Sequence, residues 1–383
     1  MTKDTPQIRF KGFTDAWEQR KLGDVAKFYN EQRIPIDSSA RIPGKYPYYG
    51  ATGIIDYVHD YIFNGEYVLL AEDGANIVSR NSPIAYLTKE KFWLNNHAHI
   101  MRMPEGDNTF LLQCLEKQNY IPFNTGTAQP KLNAETVKNI GFSIPQKTEQ
   151  TSIGNLFRTL DKLIALQQRK LEAMQKLKQG YLQQLFPQEG ETVPRVRFAG
   201  FDKPWEVRKL DEVAIINPKA LLPNKFQYVD LESVVETELV NSRAEVVSTA
   251  PSRAQRVAKQ GDIFYQTVRP YQRNNYLFDL PCDDYVFSTG YAQLRPYVDG
   301  RFLFAKLQGE IFVQAVLRRC TGTSYPAVSS SNLATVEVLI PEESEQVAIG
   351  NLFHSIDAQF AQQGRIVERL QALKRGYLQR MFV

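Results

Sequence analysis

The sequence has little of several features that mark particular classes of protein. It contains only 3 cysteines in 383 residues, and they lie far apart. An odd number of separated cysteines argues against a disulfide framework or a zinc site and is typical of a reducing compartment. We therefore expect a cytoplasmic protein.

Long apolar runs and a strong net charge are also missing. No apolar stretch approaches the roughly 18 to 20 residues that cross a bilayer, and residues 1–10 lack the apolar core of a secretory signal. The net charge is only +4, so any binding of nucleic acid must come from local patches. The composition is 43% hydrophobic and 23% charged, which is ordinary for a soluble globular protein, and the length suits two or more domains.

What the sequence does contain is an internal repeat. Residues 6–26 match residues 194–214, and residues 150–186 match residues 346–382, with 19 of 37 positions identical in the second pair. The interiors between the matching blocks show little similarity. This order predicts two copies of one unit, each a globule followed by a long helix. A shared frame with different interiors favours two readers of similar shape and different specificity, although neutral drift after duplication would leave a similar pattern.

The repeat also sets the predicted boundaries. The predicted globular domains are residues 1–147 and 188–343, and the predicted helices are residues 148–187 and 344–383. Thr148 and Ser344 stand in the N-cap position, where a hydroxyl accepts a hydrogen bond from a free backbone N–H. Glu149 and Glu345 follow, where the helix dipole favours an acid.

Apolar residues recur with a seven-residue period in both helices, which is typical of a coiled coil. Gln167 and Lys178 interrupt the seam of the first helix, and Gln363 and Lys374 interrupt the second at matching positions. The other predicted helix-pairing residues are Ile153, Phe157, Leu160, Ile164, Leu171, Met174, Tyr181, Leu185, Ile349, Phe353, Ile356, Phe360, Val367, Leu370, Tyr377 and Met381. Because neither helix can bury its seam alone, we expect an antiparallel pair with pseudo-twofold symmetry and with Gln167 close to Gln363. Such a pair is a rigid spacer of roughly 55 Å; homodimerisation through the helices is the alternative.

Motifs for catalysis are missing from the sequence. There is no Gly-x-x-x-x-Gly-Lys-Ser/Thr loop for ATP and no Asn/Asp-Pro-Pro-aromatic motif of an amino-methyltransferase; residues 217–220 read Asn-Pro-Lys-Ala. His97 and His99 are expected to share one face of a strand, but they have no obvious third ligand, so no metal site is predicted. Glu72 and Asp73 precede a glycine and indicate a turn rather than a pair of catalytic acids. We predict neither catalytic residues nor a bound metal.

Four motifs, each present in both copies, resemble the DNA-specificity (S) subunits of type I restriction–modification systems. They are the Phe-x-Gly-Phe…Trp-Glu…Lys-Leu opening of each globule, the Ile-Pro…Glu-Gln entry to each helix, the Leu-Phe-x-x-Leu/Ile-Asp segment and the Leu-Lys-x-Gly-Tyr-Leu ending. The resemblance covers essentially the whole chain. It implies an α+β fold with two mixed α/β target recognition domains, each followed by a long helix of an antiparallel coiled coil.

The resemblance also implies a function and partners. In that family each recognition domain reads half of an asymmetric, bipartite site in double-stranded DNA, and the helices set the gap between the halves and dock two methyltransferase (M) subunits. The M subunits carry S-adenosylmethionine and methylate adenine at N6, and restriction (R) subunits add an ATP- and Mg-dependent nuclease. The S subunit is not catalytic, so no cofactor is expected in this chain. A coiled-coil scaffold that binds proteins but not DNA is the alternative.

Residue types that contact DNA occur in clusters in both globules. Arginine pairs with guanine, asparagine and glutamine pair with adenine, and lysine holds phosphates. The candidates in the first globule are Lys45, Tyr48, Arg80, Asn81, His97, Thr125, Thr127, Gln129 and Lys131. The candidates in the second globule are Arg253, Arg256, Gln266, Arg269, Tyr271, Gln272, Arg273, Asn274, Asn275, Arg318, Arg319, Thr321, Thr323 and Tyr325.

Some of these candidates have alternative explanations. Residues 269–275 are the densest cluster, and a solvated loop is the alternative; if Arg273 reads a base, Arg273→Ala weakens specific binding by roughly 1 to 3 kcal/mol. The tyrosines of residues 46–49 are better explained by burial in a sheet. Thr-Gly-Thr occurs in both copies, which favours a role in shaping the backbone over reading bases.

Overall fold

The chain forms two compact units in a computed structural model that describes residues 5–383. Residues 1–4, the start of the first predicted domain, lie outside the described residues. Unit 1 comprises Met1–Gln168 and Arg365–Val383, and unit 2 comprises Arg169–Gly364. Each unit therefore contains one globule, the first part of one long helix and the last part of the other. The linear repeat did not predict this exchange of helix ends.

The globule of unit 1 is built from short strands and helices that lead into a long helix. Its strands are β1 (Glu18–Lys21), β2 (Lys27–Phe28), β3 (Pro43–Gly50), β4 (Gly53–Val58), β5 (Phe63–Asn64), β6 (Tyr67–Ala71), β7 (Ala85–Thr88), β8 (Lys91–Leu94), β9 (Ala98–Arg102) and β10 (Gly141–Ile144). Its helices are α1 (Leu22–Val25), α2 (Asn76–Ser79), α3 (Asn108–Lys117) and α4 (Ala134–Lys138), with 3-10 turns at Asn30–Gln32, Ser38–Ala40 and Ile121–Phe123. The long helix α5 (Lys147–Gln184) follows.

Two four-stranded sheets and a two-stranded ribbon form this globule. One sheet is antiparallel with the order β2-β9-β6-β7, and the other has the order β4-β3-β8-β5 with a parallel pair β3/β8. The inner strand β6 is buried from Val68 onward, as a strand covered on both faces should be. β1 pairs with β10, with Glu18 opposite Ile144, so the start of the globule lies beside the strand that leads into α5.

The globule of unit 2 has its own set of short elements. Its strands are β11 (Glu206–Lys209), β12 (Ala214–Ile216), β13 (Lys225–Val229), β14 (Val234–Val235), β15 (Glu238–Leu239), β16 (Arg243–Val246), β17 (Ala254–Val257), β18 (Ile263–Gln266), β19 (Tyr276–Leu277), β20 (Tyr285–Ser288), β21 (Tyr291–Pro296) and β22 (Glu337–Ile340). Its helices are α6 (Leu210–Val213), α7 (Gly300–Gln308), α8 (Glu310–Leu317) and α9 (Ser330–Ala334), with a 3-10 turn at Pro270–Gln272. The second long helix is α10 (Glu343–Arg380).

The strand order of unit 2 repeats that of unit 1. One sheet has the order β12-β21-β18-β19, and the other has the order β16-β13-β20-β17 with a parallel pair β13/β20. β11 pairs with β22, with Glu206 opposite Ile340, and β14 and β15 form an extra two-stranded ribbon. The two interiors thus share one topology although their sequences show little similarity. The predicted α+β class, with two globules and two long helices, is confirmed.

An aromatic cluster closes the core of unit 1 around Trp17. Its ring meets Phe110 and Phe382 at centroid distances of 5.8 and 6.2 Å. Phe382 also stacks on Phe110 at 5.4 Å and meets Phe157 at 5.8 Å. Because Phe382 follows α10, the end of the second long helix completes the core of the first globule.

The core of unit 2 repeats this cluster with matching residues. Phe186 meets Trp205 at 6.0 Å, and Phe302 and Phe353 at 5.7 Å each. Trp205 and Phe302 also meet at 5.7 Å. Because Phe186 follows α5, the first long helix completes the core of the second globule in the same way.

A buried ion pair ties the opening segment of each globule to its helix. Arg9 donates two hydrogen bonds to the carboxylate of Glu149, at 2.6 and 2.8 Å, and Arg197 donates two to Glu345, both at 2.7 Å. Both glutamate side chains are completely buried, and a bidentate guanidinium neutralises such a carboxylate efficiently. The sequence assigned these acids to the helix dipole and missed the arginines, although the arginines match in the repeat.

The entry to each long helix differs in detail from the prediction. Both helices begin one residue earlier than expected, so the prediction that Thr148 and Ser344 are N-caps is wrong. The glutamines of the Glu-Gln pairs stabilise the entry: Gln150 Nε2 and Gln346 Nε2 each donate to the carbonyl of the preceding proline at 2.8 Å. Thr148 and Ser344 are instead the second residues of their helices.

The two long helices pair antiparallel within each unit. In unit 1, Lys374 Nζ near the end of α10 lies 2.6 Å from Asp161 Oδ1 near the start of α5. In unit 2, Lys178 Nζ near the end of α5 lies 2.5 Å from Asp357 Oδ1 near the start of α10. The two lysines are the charged positions that interrupt the predicted seam, and an aspartate of the other helix neutralises each of them.

The burial of the helix residues follows the predicted seam. The predicted seam residues are buried or half-buried, whereas Leu177 and Leu373 outside it are 52% and 44% exposed. Gln363 is buried; its proximity to Gln167 stays a prediction. No helix within residues 5–383 has both the length and the apolar character to cross a membrane.

Candidate nucleic-acid interface

Two loops of unit 1 lie side by side, and we call them loop pair 1. They are residues 72–81, which follow the inner strand β6, and residues 124–131. The amide of Gly74 in the first loop donates to the carbonyl of Pro130 in the second at 3.0 Å. The structure thus brings together two segments that the sequence identified separately.

Two loops of unit 2 form an equivalent arrangement, which we call loop pair 2. They are residues 267–275, which follow the inner strand β18, and residues 321–327. The amide of Arg269 donates to the carbonyl of Pro326 at 2.7 Å. The densest predicted cluster and the second Thr-Gly-Thr segment therefore belong to one surface.

The two loop pairs share one backbone plan. The residue that donates between the loops has a positive φ in both, +110° at Gly74 and +53° at Arg269. An antiparallel bridge joins the loops one residue earlier in each unit. The amides of Thr125 and Thr321 close the second loop by donating across it at 2.8 and 2.9 Å, which is the backbone role that the repetition of Thr-Gly-Thr favoured.

The side chains that the two plans present are different. Loop pair 1 exposes Asn81, Thr125, Thr127, Gln129 and Lys131, with His97 beside them. Loop pair 2 exposes Tyr271, Gln272, Thr321, Thr323 and Tyr325. The guanidinium of half-buried Arg269 lies over the ring of Tyr325 at 4.5 Å, a cation–π contact that limits the motion of both side chains. One shape with two sets of donors and acceptors can distinguish two different base sequences.

Two predicted base readers, Arg80 and Arg273, are held by the protein itself. Both have a positive φ, 51° and 57°, at the end of a short helical turn in the first loop. Arg80 donates to the carbonyl of Glu116 at 2.6 Å, and Arg273 donates to the carbonyl of Gln308 at 3.2 Å and pairs with the Glu310 carboxylate. Each arginine thus fastens its loop to the C-terminal end of α3 or α7. That they read bases stays a prediction, and the geometry favours positioning of the loops.

The structure contradicts direct DNA contact for three candidates. Tyr48 is 1% exposed and its hydroxyl accepts from the amide of Ile36 at 2.9 Å, so the alternative of burial in a sheet is confirmed for this tyrosine. Gln266 is 2% exposed and its side-chain amide donates to the carbonyl of Val268 at 2.7 Å. Asn275 is 1% exposed and accepts from the amide of Gln266 at 2.8 Å. Their polar groups support the backbone of the loops and sheets.

The remaining candidates lie outside the exposed face of the loop pairs, or their side chains already make hydrogen bonds within the protein. Lys45, Arg253 and Arg318 are exposed. Arg256 is half-buried, and burial lowers its pKa. Arg319 donates to the carbonyl of Ala315 at 2.8 Å, and the side chain of Asn274 accepts from the amide of Glu236 at 2.8 Å.

The two histidines differ in exposure and in partners, and that their rings share one face stays a prediction. His97 precedes β9 and is exposed, with Nδ1 2.8 Å from Asp73 Oδ2. His99 lies inside β9, is completely buried, and has Nε2 2.7 Å from the carbonyl oxygen of Leu132. Burial lowers the pKa of His99. Within residues 5–383, no three histidine, cysteine or acidic side chains are grouped so that they could hold a metal ion.

Sequence reasoning missed Arg33, which supports the base of loop pair 1. Its guanidinium donates to the carboxylate of Glu72 at 2.6 Å and to the carbonyl of Ala98 at 2.8 Å. Glu72 was expected only to form a turn. Arg33 lies in a divergent interior, where the repeat offers no matching residue to mark it.

Comparison with known proteins finds similarity to one family. Residues 14–176 match the model of the type I restriction modification DNA specificity domain. A putative type I restriction enzyme specificity subunit of Haemophilus influenzae is 41% identical over 150 residues, which are 39% of this chain and 38% of that protein. The MjaVIII specificity subunit of Methanocaldococcus jannaschii is 24% identical over 376 residues, which span 89% of this chain and 86% of that protein.

Solved structures share the fold over the whole chain. The S subunit of a type I restriction–modification system from M. genitalium matches with a TM-score of 0.70 at 14% identity, and the match covers 99% of both chains. A chain from a structure that describes complex assembly and conformational transition of the type I system matches with a TM-score of 0.50 at 16% identity, covering 94% of this chain and 96% of that one. The matched domain, the specificity-subunit relatives and the shared fold all show similarity to the DNA-specificity subunits of type I restriction–modification systems.

Proposed function

We propose that this chain reads an asymmetric, bipartite site in duplex DNA, with each unit recognising one half. The observation that carries the proposal is the pair of loop surfaces, which share one backbone plan but present different side chains. Two identical readers would specify a palindrome, because a twofold-related protein mirrors the symmetry of its site. Two different readers specify two different half-sites.

The chemistry of the loop side chains suits this role. The amide of Gln129 carries a donor and an acceptor, the combination that pairs with adenine in the major groove. Lys131 can hold a phosphate and fix position. The backbone of each loop is hydrogen-bonded to its neighbour, so the loops are organised before DNA arrives, which lowers the entropic cost of binding.

The paired helices act as the spacer and as the platform for partners. Each is a continuous helix of 38 residues, and a spacer of that length suits half-sites about one to one and a half turns apart. The exposed leucines Leu177 and Leu373 occupy matching positions outside the seam and offer two similar apolar contacts for two M subunits.

The chemistry belongs to the partners in this proposal. The M subunits supply S-adenosylmethionine and methylate adenine at N6, and R subunits supply the ATP- and Mg-dependent nuclease. This chain is the non-catalytic subunit that selects the sequence. The names of its relatives, which are specificity subunits, support that division of labour.

The test is to sequence methylated adenines in cells that carry the M partner with and without this chain. We expect methylation at one gapped, non-palindromic motif only when the chain is present. Methylation that does not depend on the chain, together with gel shifts in which the chain and M subunit show no preference among random duplexes, would contradict the proposal and favour a protein-binding scaffold.

A further inference from the structure

Unit 2 contains a cavity of about 170 Å³ at the N-terminus of α8. Lys306 and Gln308 of α7 form one wall, Gly309 and Glu310 lead into α8, and Phe186 at the end of α5 forms another wall. Arg273 of loop pair 2 also lines the cavity. The cavity therefore borders the surface that we propose for reading bases, but its buried donors belong to α7.

The cavity is lined by a buried amide donor without an acceptor and by a buried lysine without a salt bridge among the described residues. The side chains of Lys306 and Gln308 are only 7% and 6% exposed. Gln308 Nε2 is buried without a hydrogen-bond partner. Among residues 5–383, the ammonium of Lys306 makes no salt bridge, and its described contact is with the ring of Phe186 at 5.2 Å. Burying a charge without a counter-charge is costly, and burial lowers the pKa of Lys306 to about 8.

The start of α8 adds backbone donors to the same cavity. Its first intrahelical hydrogen bond runs from the amide of Val313 to the carbonyl of Gly309 at 3.1 Å, so the N–H groups of the first turn are free of intrahelical partners. The helix dipole also favours an anion here. The lining carries two cations and one carboxylate, and Arg273 already pairs with Glu310, which leaves the charge of Lys306 unbalanced.

We propose that this cavity binds one phosphate group, held by the Lys306 ammonium, the Gln308 side-chain amide and the free N–H groups at the start of α8. Several donors that converge from different elements suit the oxygens of a tetrahedral anion. The phosphate has two sources, inorganic phosphate in solution or a backbone phosphate of bound DNA.

The matching place in unit 1 is filled differently. Phe110 and Phe302 make the same contact with the frame tryptophan, and aligning α3 with α7 on them places Cys114 at Lys306 and Glu116 at Gln308. Glu116 Oε1 accepts from the amides of residues 84 and 85 at 2.7 Å each. An acid is thus tolerated at this position of the fold, and the proposed phosphate site belongs to unit 2.

The first arm of the test uses inorganic phosphate and the full chain without DNA. We expect phosphate, at constant ionic strength against chloride, to raise the Tm of the chain in a saturable way. Lys306→Met and Gln308→Glu are expected to weaken phosphate binding at least tenfold, the first by removing the cation and the second by placing a carboxylate in the cavity. Lys219→Met removes an exposed lysine and is the matched control. Gln308→Glu keeps the test valid if Lys306→Met does not fold.

The second arm identifies the source with duplex DNA. If DNA supplies the phosphate, Lys306→Met is expected to reduce the slope of log K against log salt by about one. If free phosphate is the ligand, the slope stays unchanged and the first arm alone shows the loss. The proposal is overturned if both variants keep the phosphate response of the native chain and the same salt slope. The first arm contains no DNA, so its outcome is independent of the proposed function.

Discussion

At the residue scale, the buried ammonium of Lys306 makes the stability of unit 2 depend on pH. Burial lowers its pKa from 10.5 to about 8, so between these values the unfolded chain binds a proton that the native chain does not. Stability therefore rises as the pH increases through this window, by about 3 kcal/mol for the full shift. We expect Lys306→Met to abolish that rise, measured as the free energy of unfolding in urea at pH 8 and pH 10.

A control substitution at an exposed lysine, Lys219, separates the effect of burial on the pH dependence of stability from the loss of a charge. Arg273 and Glu310, the other charged groups of the cavity, pair with each other. Lys219→Met is expected to keep the pH dependence of the native chain. Equal pH dependence in the native chain and in Lys306→Met would show that the ammonium is hydrated.

The two loop arginines allow base reading and loop positioning to be separated. A residue that reads a base changes which sequences are methylated when it is replaced, because it discriminates between bases. A residue that only positions the loop lowers affinity and stability without changing the preferred sequence. For Arg273→Ala we expect a loss of about 1 to 2 kcal/mol in the free energy of unfolding from the broken hydrogen bonds and an unchanged methylated motif.

The matched variant in unit 1 is Arg80→Ala, and Lys219→Ala at an exposed position is the control for loss of charge. Denaturant unfolding and methylation sequencing measure the two effects separately. A changed motif with unchanged stability would restore Arg273 to the base readers.

Single residues also show what the sequence could reveal about the site. Positions identical in both copies, such as Trp17 and Glu149, hold the frame, and their importance was visible in the repeat. Arg80 and Arg273 have the same role, but they lie in the interiors, where the sequences of the two copies show little similarity. Their partners lie at the ends of α3 and α7, far along the chain. The burial of Gln266 was not predictable either. A polar residue beside a loop is expected to be exposed, and only its hydrogen-bond partners in the structure explain its burial.

At the scale of elements, a glycine near the start of each long helix decides how closely that helix packs. A Cβ at Gly154 would overlap Asp107 Oδ1, and Asp107 caps α3 by accepting from the amides of Thr109 and Phe110. Gly154→Ala is therefore expected to push α5 away from α3 and to destabilise the protein by about 1 to 3 kcal/mol. The measurement is the free energy of unfolding in urea.

The same helix offers an internal control at Gly180. A Cβ there has no neighbour within 4 Å, so Gly180→Ala is expected to stabilise by about 0.5 to 1 kcal/mol through helix propensity. If both substitutions stabilise, α5 has room to shift and the tight contact with the cap of α3 does not constrain the fold.

The long helices were the most predictable elements, because a seven-residue pattern sustained over 38 residues leaves little ambiguity. Their starts were misplaced by one residue because Thr148 looks like a cap by type, whereas Gln150 stabilises the entry. The short strands of the interiors carry weaker patterns, and their common topology emerged only from the pairing of β6 and β18 with their neighbours.

At the scale of the whole molecule, the exchange of helix ends makes each globule depend on a distant part of the chain. Phe382 is 5% exposed and packs in unit 1 against Trp17, Phe110 and Phe157. Phe382→Ala is expected to destabilise unit 1 by about 3 to 5 kcal/mol. Hydrogen exchange should therefore become faster in β6 and α3.

Phe186→Ala is the matched variant and is expected to have the same effect on unit 2. Hydrogen exchange in unit 2 is the reference for Phe382→Ala, and hydrogen exchange in unit 1 is the reference for Phe186→Ala. If Phe382→Ala leaves β6 protected, the end of α10 is an accessory to the core of unit 1.

The duplication gives the proposed function its sharpest consequence, because each unit carries its own reader. Gln129 lies on loop pair 1 and Tyr271 on loop pair 2, and both are exposed. If each unit reads one half-site, Gln129→Ala relaxes the base requirement in one half of the methylated motif, and Tyr271→Ala relaxes it in the other half. A lost base contact costs roughly 1 to 3 kcal/mol, enough to change discrimination at one or two positions about tenfold or more.

Sequencing of methylated adenines in cells with the M partner measures both halves at once, so the unaffected half is the control within each experiment. Relaxation of both halves by one substitution would mean that the loop pairs do not act as separate readers.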